Sequence, residues 1–508
     1  MFNTVHLAAI PAEGKAWVRR WDIPAIVVLI SLAMVGMAVL SGMVVTTNNP
    51  VLIAAIAGPL FGLLLLSHWR ICFWIVVLGF LILNGPIQQF APSLGKVTWA
   101  FSAVSLLMLA LAVVHLSGFR KSEDLPVTGL AWLVLALLIY STLSSVLISG
   151  RVGELLAGFK RYYQTFGIFF AMAVLPFALK DCRQIAKLGL LIGVLHFPLS
   201  LYQFFIVMPK SGSAGPGKYD AIVGLFEGGA QGGASGVLAL YLVMMVAIFA
   251  RMWIRKQIGF GMFLTAMVVF AGPLALGETK VVVVVLPFAL LVAARGYLTE
   301  SRSLAMLGFF GLMTVALAVR YIVLNEVNGA DFGKALEDTL AYNFGSKAYD
   351  GGNFGLNRST VLQFWWEKNG AHAPLEMFFG HGMGSSYFAE NSFAPGHLFF
   401  QFPFMNINLT TVSTILWDFG IVGILMFVFL LVAAWGGLNR GIAADAGGEM
   451  SELFVYAKIS LMICILSMFY NNSLVSFGSH GAVFALTLGV CAYAARFAQA
   501  KQQRLTFR

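Results

Sequence analysis

Charged residues are scarce in this chain. Asp, Glu, Lys and Arg together make up 11% of its 508 residues, whereas a soluble globular protein carries about 25%. So few charges cannot clothe a folded surface for water, which excludes a soluble globular class. Acids are the rarer sign, 22 against 32 bases. Nowhere do they gather into the oxygen-rich cluster that magnesium or calcium needs, so no metal and no other cofactor is expected. Cysteine is rarer still, with Cys72, Cys182, Cys464 and Cys491 the whole set. All four fall in apolar segments or at their cytoplasmic edges, leaving no disulfide framework outside and no Cys/His spacing suited to zinc. Strict alternation of apolar and polar residues is also missing, which excludes a transmembrane β-barrel.

What is present is 59% hydrophobic residues, in continuous runs of roughly 20, the length of a membrane-crossing helix. The expected architecture is all-α, a polytopic transmembrane helical bundle of about 14 spans. The first two spans are expected at Ile23–Val45 and Val51–Ser67, and a sixth at Tyr163–Leu179. The third, Ile71–Leu83, is short enough to be re-entrant. The first run is about 23 residues long and lacks a small-residue cleavage site, so it reads as a retained span rather than a signal peptide. Residues 1–324 form an N-terminal transmembrane bundle, 325–407 one long loop and 408–508 the C-terminal transmembrane helices. The short loops holding Arg70, Arg120, Arg183, Arg251, Arg295, Arg440 and Arg496 all fall on one side if the spans alternate. The positive-inside rule makes that side, and both termini, cytoplasmic, with the long loop facing outward. The net charge of +10 therefore reflects membrane anchoring beside anionic headgroups, not nucleic-acid binding.

The loop from Asn325 to Ile407 is 83 residues long and holds three of the eight histidines, His372, His381 and His397. Loops that long are functional or disordered far more often than short ones, and this one is rich in aromatics, against disorder. Four outward places carry charge or turn chemistry. Arg151 to Arg161 includes Lys160 and Arg161 on the side disfavoured for cations, and reads equally as a site or as an amphipathic surface segment. Glu278 and Lys280 occupy the shortest outward turn, beside a five-valine run; a local ion pair there is the plainer alternative. Arg358 precedes Thr360–Trp366, whose spacing predicts a short helix, with Trp365 and Trp366 docking it or lying at the interface. Gly380 to Ser386 is a glycine turn that exposes backbone N–H groups and carries His381, a histidine suited to general-base work or to plain structural duty. His397 has a weaker claim to that role, and Glu227 is a further acid on the outer side. Gly212 to Tyr219 nearly fits a phosphate-binding loop, but Tyr219 replaces the hydroxyl that reaches magnesium.

The order of these elements resembles the O-antigen ligase and polymerase superfamily of bacterial envelope glycan assembly. The resembling pieces are Thr279-Lys280 at the outer start of a span, Arg358 with Trp366, the turn Gly380-His381-Gly382-Met383-Gly384-Ser385, and Asp418-Phe419-Gly420-Ile421-Val422-Gly423. They cover about Gly277–Phe429. Two departures stand out. Lys280 keeps the charge of an Arg but not its bidentate fork, and Leu409-Thr410 occupies the place of a His-Asn-like pair common in ligases. The resemblance is thus more polymerase-like than ligase-like. It implies a GT-C-like fold in the bacterial inner membrane, with its active face periplasmic. The implied activity is a glycosyltransferase moving a polyprenyl-diphosphate-linked glycan to a sugar acceptor, in O-antigen, capsule or exopolysaccharide assembly beside other envelope polysaccharide proteins. In that chemistry Arg161, Lys280 and Arg358 would hold the diphosphate, and His381 or His397 would take the acceptor's proton, with Glu227 and Glu278 as alternative bases. Lys160, Arg151 and Trp366 would line the substrate. A flippase of lipid-linked oligosaccharide is the alternative, and it predicts two related halves.

Overall fold

The computed structural model describes residues 68–116, 128–210, 219–228, 233–277, 281–324, 356–387, 394–403 and 405–506, with Gly333 and Glu337 alone between 325 and 355. The described residues are helix, turn or loop, without a strand. Eight of their helices are long and apolar enough to cross a membrane. In chain order the elements are α1 (Trp69–Phe90), α2 (Thr98–Leu116), α3 (Gly129–Ile148), α4 (Val152–Tyr163), α5 (Phe166–Val174) and α6 (Leu179–Tyr202), followed by α7 (Ser235–Ile254), α8 (Phe260–Leu276), α9 (Val281–Ala294) and α10 (Ser301–Leu324). The short helices α11 (Thr360–Asn369), α12 (Pro374–Phe379) and α13 (His397–Gln401) come next. Then follow α14 (Thr411–Ala444), α15 (Glu449–Tyr470), the single turn α16 (Ser473–Ser476) and α17 (Gly478–Thr506). The eight long helices are α1, α2, α3, α6, α7, α14, α15 and α17; α8, α9 and the apolar part of α10 are shorter.

Two expected spans take a different form. The third is no re-entrant stub, because α1 runs 22 residues through a π-helical stretch at Gly79–Leu83. Gly79, the first residue of that stretch, has no Cβ, and the Phe101 ring lies where one would be. The sixth becomes α5, only nine residues and all of them buried. At 1.5 Å per residue it is about 14 Å long, half a hydrocarbon core. It stops at Leu175, which is extended because the following proline disfavours the helical conformation. The expected spans Ile23–Val45 and Val51–Ser67 lie outside the described residues.

The short helix after Arg358 forms where the spacing placed it, as α11. Its apolar face joins Leu398, Ile407 and Trp417 in a core of its own, built from Leu356, Val361, Phe364 and Trp365. Trp365 is 5% exposed and Trp366 55%, so one tryptophan docks the segment and its neighbour faces outward. Because Trp417 belongs to α14, this core fixes the polar segment onto one end of the bundle.

Candidate functional site at one end of the bundle

The anchor of the site is a break in α14. Gly420 has φ 63 and ψ −160, so the helix is interrupted about two and a half turns after its start. An interrupted helix frees carbonyls that its own amides would otherwise take up. The Trp417 carbonyl accepts from the His381 amide at 2.9 Å and the Asp418 carbonyl from the Gly382 amide at 3.0 Å. The Phe419 carbonyl accepts from Tyr140 Oη at 2.8 Å. The glycine turn is therefore laid into the break. Its hold is completed by the Asp418 carboxylate, which is wholly buried. Oδ2 accepts from Tyr162 Oη at 2.9 Å and the Gly384 amide at 3.1 Å, and Oδ1 accepts from Ser385 Oγ and the Ser386 amide, both at 3.0 Å. Four donors on one carboxylate offset the cost of burying it. The two glycine-containing motifs of the sequence, 34 residues apart, thus form one structure.

The turn must also pass close to α4, and glycine makes that possible. Gly384 has φ +84, and a Cβ there would lie 2.6 Å from the Glu154 carbonyl oxygen. This contact brings α4 alongside the turn, and α4 supplies most of the ionic groups. Glu154 is buried. Its Oε1 accepts from Arg151 Nη1 at 3.2 Å and from the His397 amide at 3.1 Å, while Oε2 meets His397 Nδ1 at 2.9 Å. Arg161 lies two turns further along the helix and is only 6% exposed. Its Nη2 donates to Ser476 Oγ at 2.6 Å, and its guanidinium lies 4.2 Å from the centre of the Tyr387 ring. Its Nε and Nη1 are buried without a hydrogen-bond partner among the described residues. Lys160 points elsewhere, with Nζ 3.7 Å from the Trp99 ring centre, and burial lowers its pKa.

Arg358 reaches the same corner from the loop side. Its Nε donates to the Tyr470 carbonyl at 2.7 Å, and its guanidinium lies 4.3 Å from the Tyr470 ring centre. Tyr470 ends α15 and Ser476 ends α16, so Arg161 and Arg358 grip the two ends of one connection between long helices. His381 Nε2 is tied to Asn369 Oδ1 at 2.8 Å, with its ring 6.1 Å from that of His397. Burial and the neighbouring His397 push the His381 pKa down to about 4, against a smaller upward pull from Glu376. Glu227 accepts from the Ser479 amide at 3.1 and 3.3 Å and so sits on the first turn of α17, where an acid is favoured by the unpaired amides. Burial raises its pKa, and its hydrogen bonds oppose the shift.

Of the sequence-derived candidates, the fold gathers Arg151, His381 and His397 around the glycine turn and Arg161 with Arg358 at the α15–α16 connection. Lys160, Glu227 and the exposed Trp366 stand apart in roles of their own. Glu278 and Lys280 lie outside the described residues. Glu154, Tyr387 and Ser476 escaped the sequence reading, and Asp418 entered it only as the first residue of a motif, with no role for its carboxylate. Of the three, Glu154 left a local trace, an acid three residues after Arg151 in a segment of mixed charge. The chain matches no protein-family model and no curated protein.

Proposed function

We propose that this chain is a membrane glycosyltransferase that moves a glycan from a polyprenyl-diphosphate carrier to a sugar acceptor at the outer face of a bacterial inner membrane. The observation that carries the reading is the state of Arg161. A buried guanidinium with two N–H nitrogens unpartnered is costly, and such a group calls for a ligand that accepts hydrogen bonds. Nε and Nη1 point to different sides of the guanidinium, so each can donate to a separate oxygen of a ligand rich in acceptors, as a diphosphate is. Arg358 stands at the other end of the same connection, and a diphosphate offers oxygens to both. Breaking the glycosyl–phosphate bond moves a full negative charge onto that leaving group, so cations fixed beforehand stabilise the transition state more than the ground state. No nucleotide is needed, because the carrier brings its own activation.

Glycan profiling of a strain carrying Arg358→Ala or Arg161→Gln tests this. Either variant is expected to stay in the membrane and to lower glycan product by about 100- to 1,000-fold, the usual loss of one preorganised contact. In a deletion strain, single repeats that accumulate unextended mean a polymerase, and free polymer without attachment means a ligase. Glycan trapped inside the membrane means a flippase and removes the proposal.

A further inference from the structure

His397 and Glu154 stand 243 residues apart in the chain and meet at 2.9 Å. Oε1 of Glu154 already accepts two hydrogens, from Arg151 and from the His397 amide. The carboxylate therefore serves as an acceptor, and the hydrogen shared with His397 must sit on Nδ1. In a neutral imidazole that leaves Nε2 with the lone pair. Nε2 takes no hydrogen bond from any described residue and is not buried. The amide contact and the ring contact both come from one carboxylate, so the backbone position and the ring orientation of His397 are fixed together. His381 differs on each point: its Nε2 is occupied by Asn369. Arg161 is seven residues beyond Glu154 on α4, about 10 Å along the axis. Seven residues are close to two full turns, so Glu154 and Arg161 leave α4 on the same face.

We propose that Glu154 is the positioning residue for His397, and that His397 Nε2 is the base for the acceptor hydroxyl; this rests on the transferase reading given above. The acceptor O–H proton passes to Nε2, and the oxygen's electron pair forms the new bond to the anomeric carbon. The bond from that carbon to the diphosphate oxygen breaks, and its electrons leave with the diphosphate held at Arg161. The proton on His397 then returns to solvent through the open side of the ring.

The test uses the full chain in membranes of a host lacking its own copy, with added lipid-diphosphate glycan as donor and transfer followed on gels. His397→Ala is expected to lower kcat by about 100- to 10,000-fold with the KM for donor held, and exogenous imidazole is expected to restore part of the rate. Glu154→Gln keeps an oxygen for the His397 amide but no longer enforces one tautomer; a loss of about tenfold or more in kcat is expected. The double variant His397→Ala with Glu154→Gln should be no slower than His397→Ala alone, because Glu154 acts only through the ring. Losses that multiply in the double variant, or a normal rate in His397→Ala, overturn the dyad and leave the transferase intact. Absence of any donor-dependent transfer by the unaltered chain removes the transferase and the dyad together.

Discussion

Arg251 and Arg161 are equally buried, each 6% exposed, and they sit at opposite ends of the bundle. Arg251 is on the last turn of α7 and meets Glu452 near the start of α15, while Arg161 serves the connection that leaves α15 at its far end. Arg251 spends all three nitrogens on the protein. Nε and Nη2 pair with Glu452 at 3.0 and 3.1 Å, and Nη1 donates to the carbonyls of Ala293 and Arg295 at 3.1 and 2.9 Å. Among the described residues Arg161 has Ser476 and no hydrogen-bond partner for its other two nitrogens. The first is a closed ion pair that joins helices. The second is a cation held in place by the neutral Ser476 and Tyr387. Equal burial thus hides two different jobs, and the partner list separates them.

The sharpest way to break this contrast is to exchange each arginine for glutamine. Arg251→Gln leaves Glu452 buried beside Arg255 alone, and removing one partner of a buried pair costs about 3–5 kcal/mol; folded protein recovered from detergent should fall steeply. Arg161→Gln removes a charge that the fold barely pairs, so recovery and melting temperature should hold while glycan product is lost. Equal loss of folded protein from both variants would erase the distinction. A smaller effect comes from Gly384→Ala. The positive φ and the 2.6 Å approach to the Glu154 carbonyl make strain of about 1–3 kcal/mol, and the Arg161 end alone should loosen. Hydrogen exchange is expected to rise around the glycine turn and α4, with the Arg251 end unchanged. The smallest effect is one of pH. His381 is held to about 4 when folded, against 6.5 ordinarily, so between those values the unfolded chain binds more protons. Stability is therefore complete above about 6.5 and falls as pH drops towards 4. Thermal melts at pH 7 and pH 5 should differ less in His381→Gln than in the unaltered chain, and an identical pH response would place the effect elsewhere.

The helical, lipid-embedded character was readable because apolar run length is a local property, and so was α11, whose amphipathic spacing spans barely three turns. Cations at the Arg251 end were readable from loop composition for the same reason. The re-entrant reading of Ile71–Leu83 rested on a short apolar run, but the helix continues beyond Leu83 through Asn84–Phe90, residues whose polarity looks like an ending. Tyr163–Leu179 was apolar enough to cross and yet became a fully buried half-length helix. Hydropathy cannot tell contact with lipid from contact with other helices.

Composition and run length by themselves determined the solvent this chain lives in, its secondary structure and the sites where charge is rare enough to matter. Only the tertiary structure decided which of those charges meet. The break at Gly420 receives a turn from 34 residues upstream, and Glu154 receives His397 from 243 residues downstream. Local patterning sets each segment's helix and solvent. A hydrogen bond between distant segments depends on where the packed helices return the chain, and no window of sequence contains that distance.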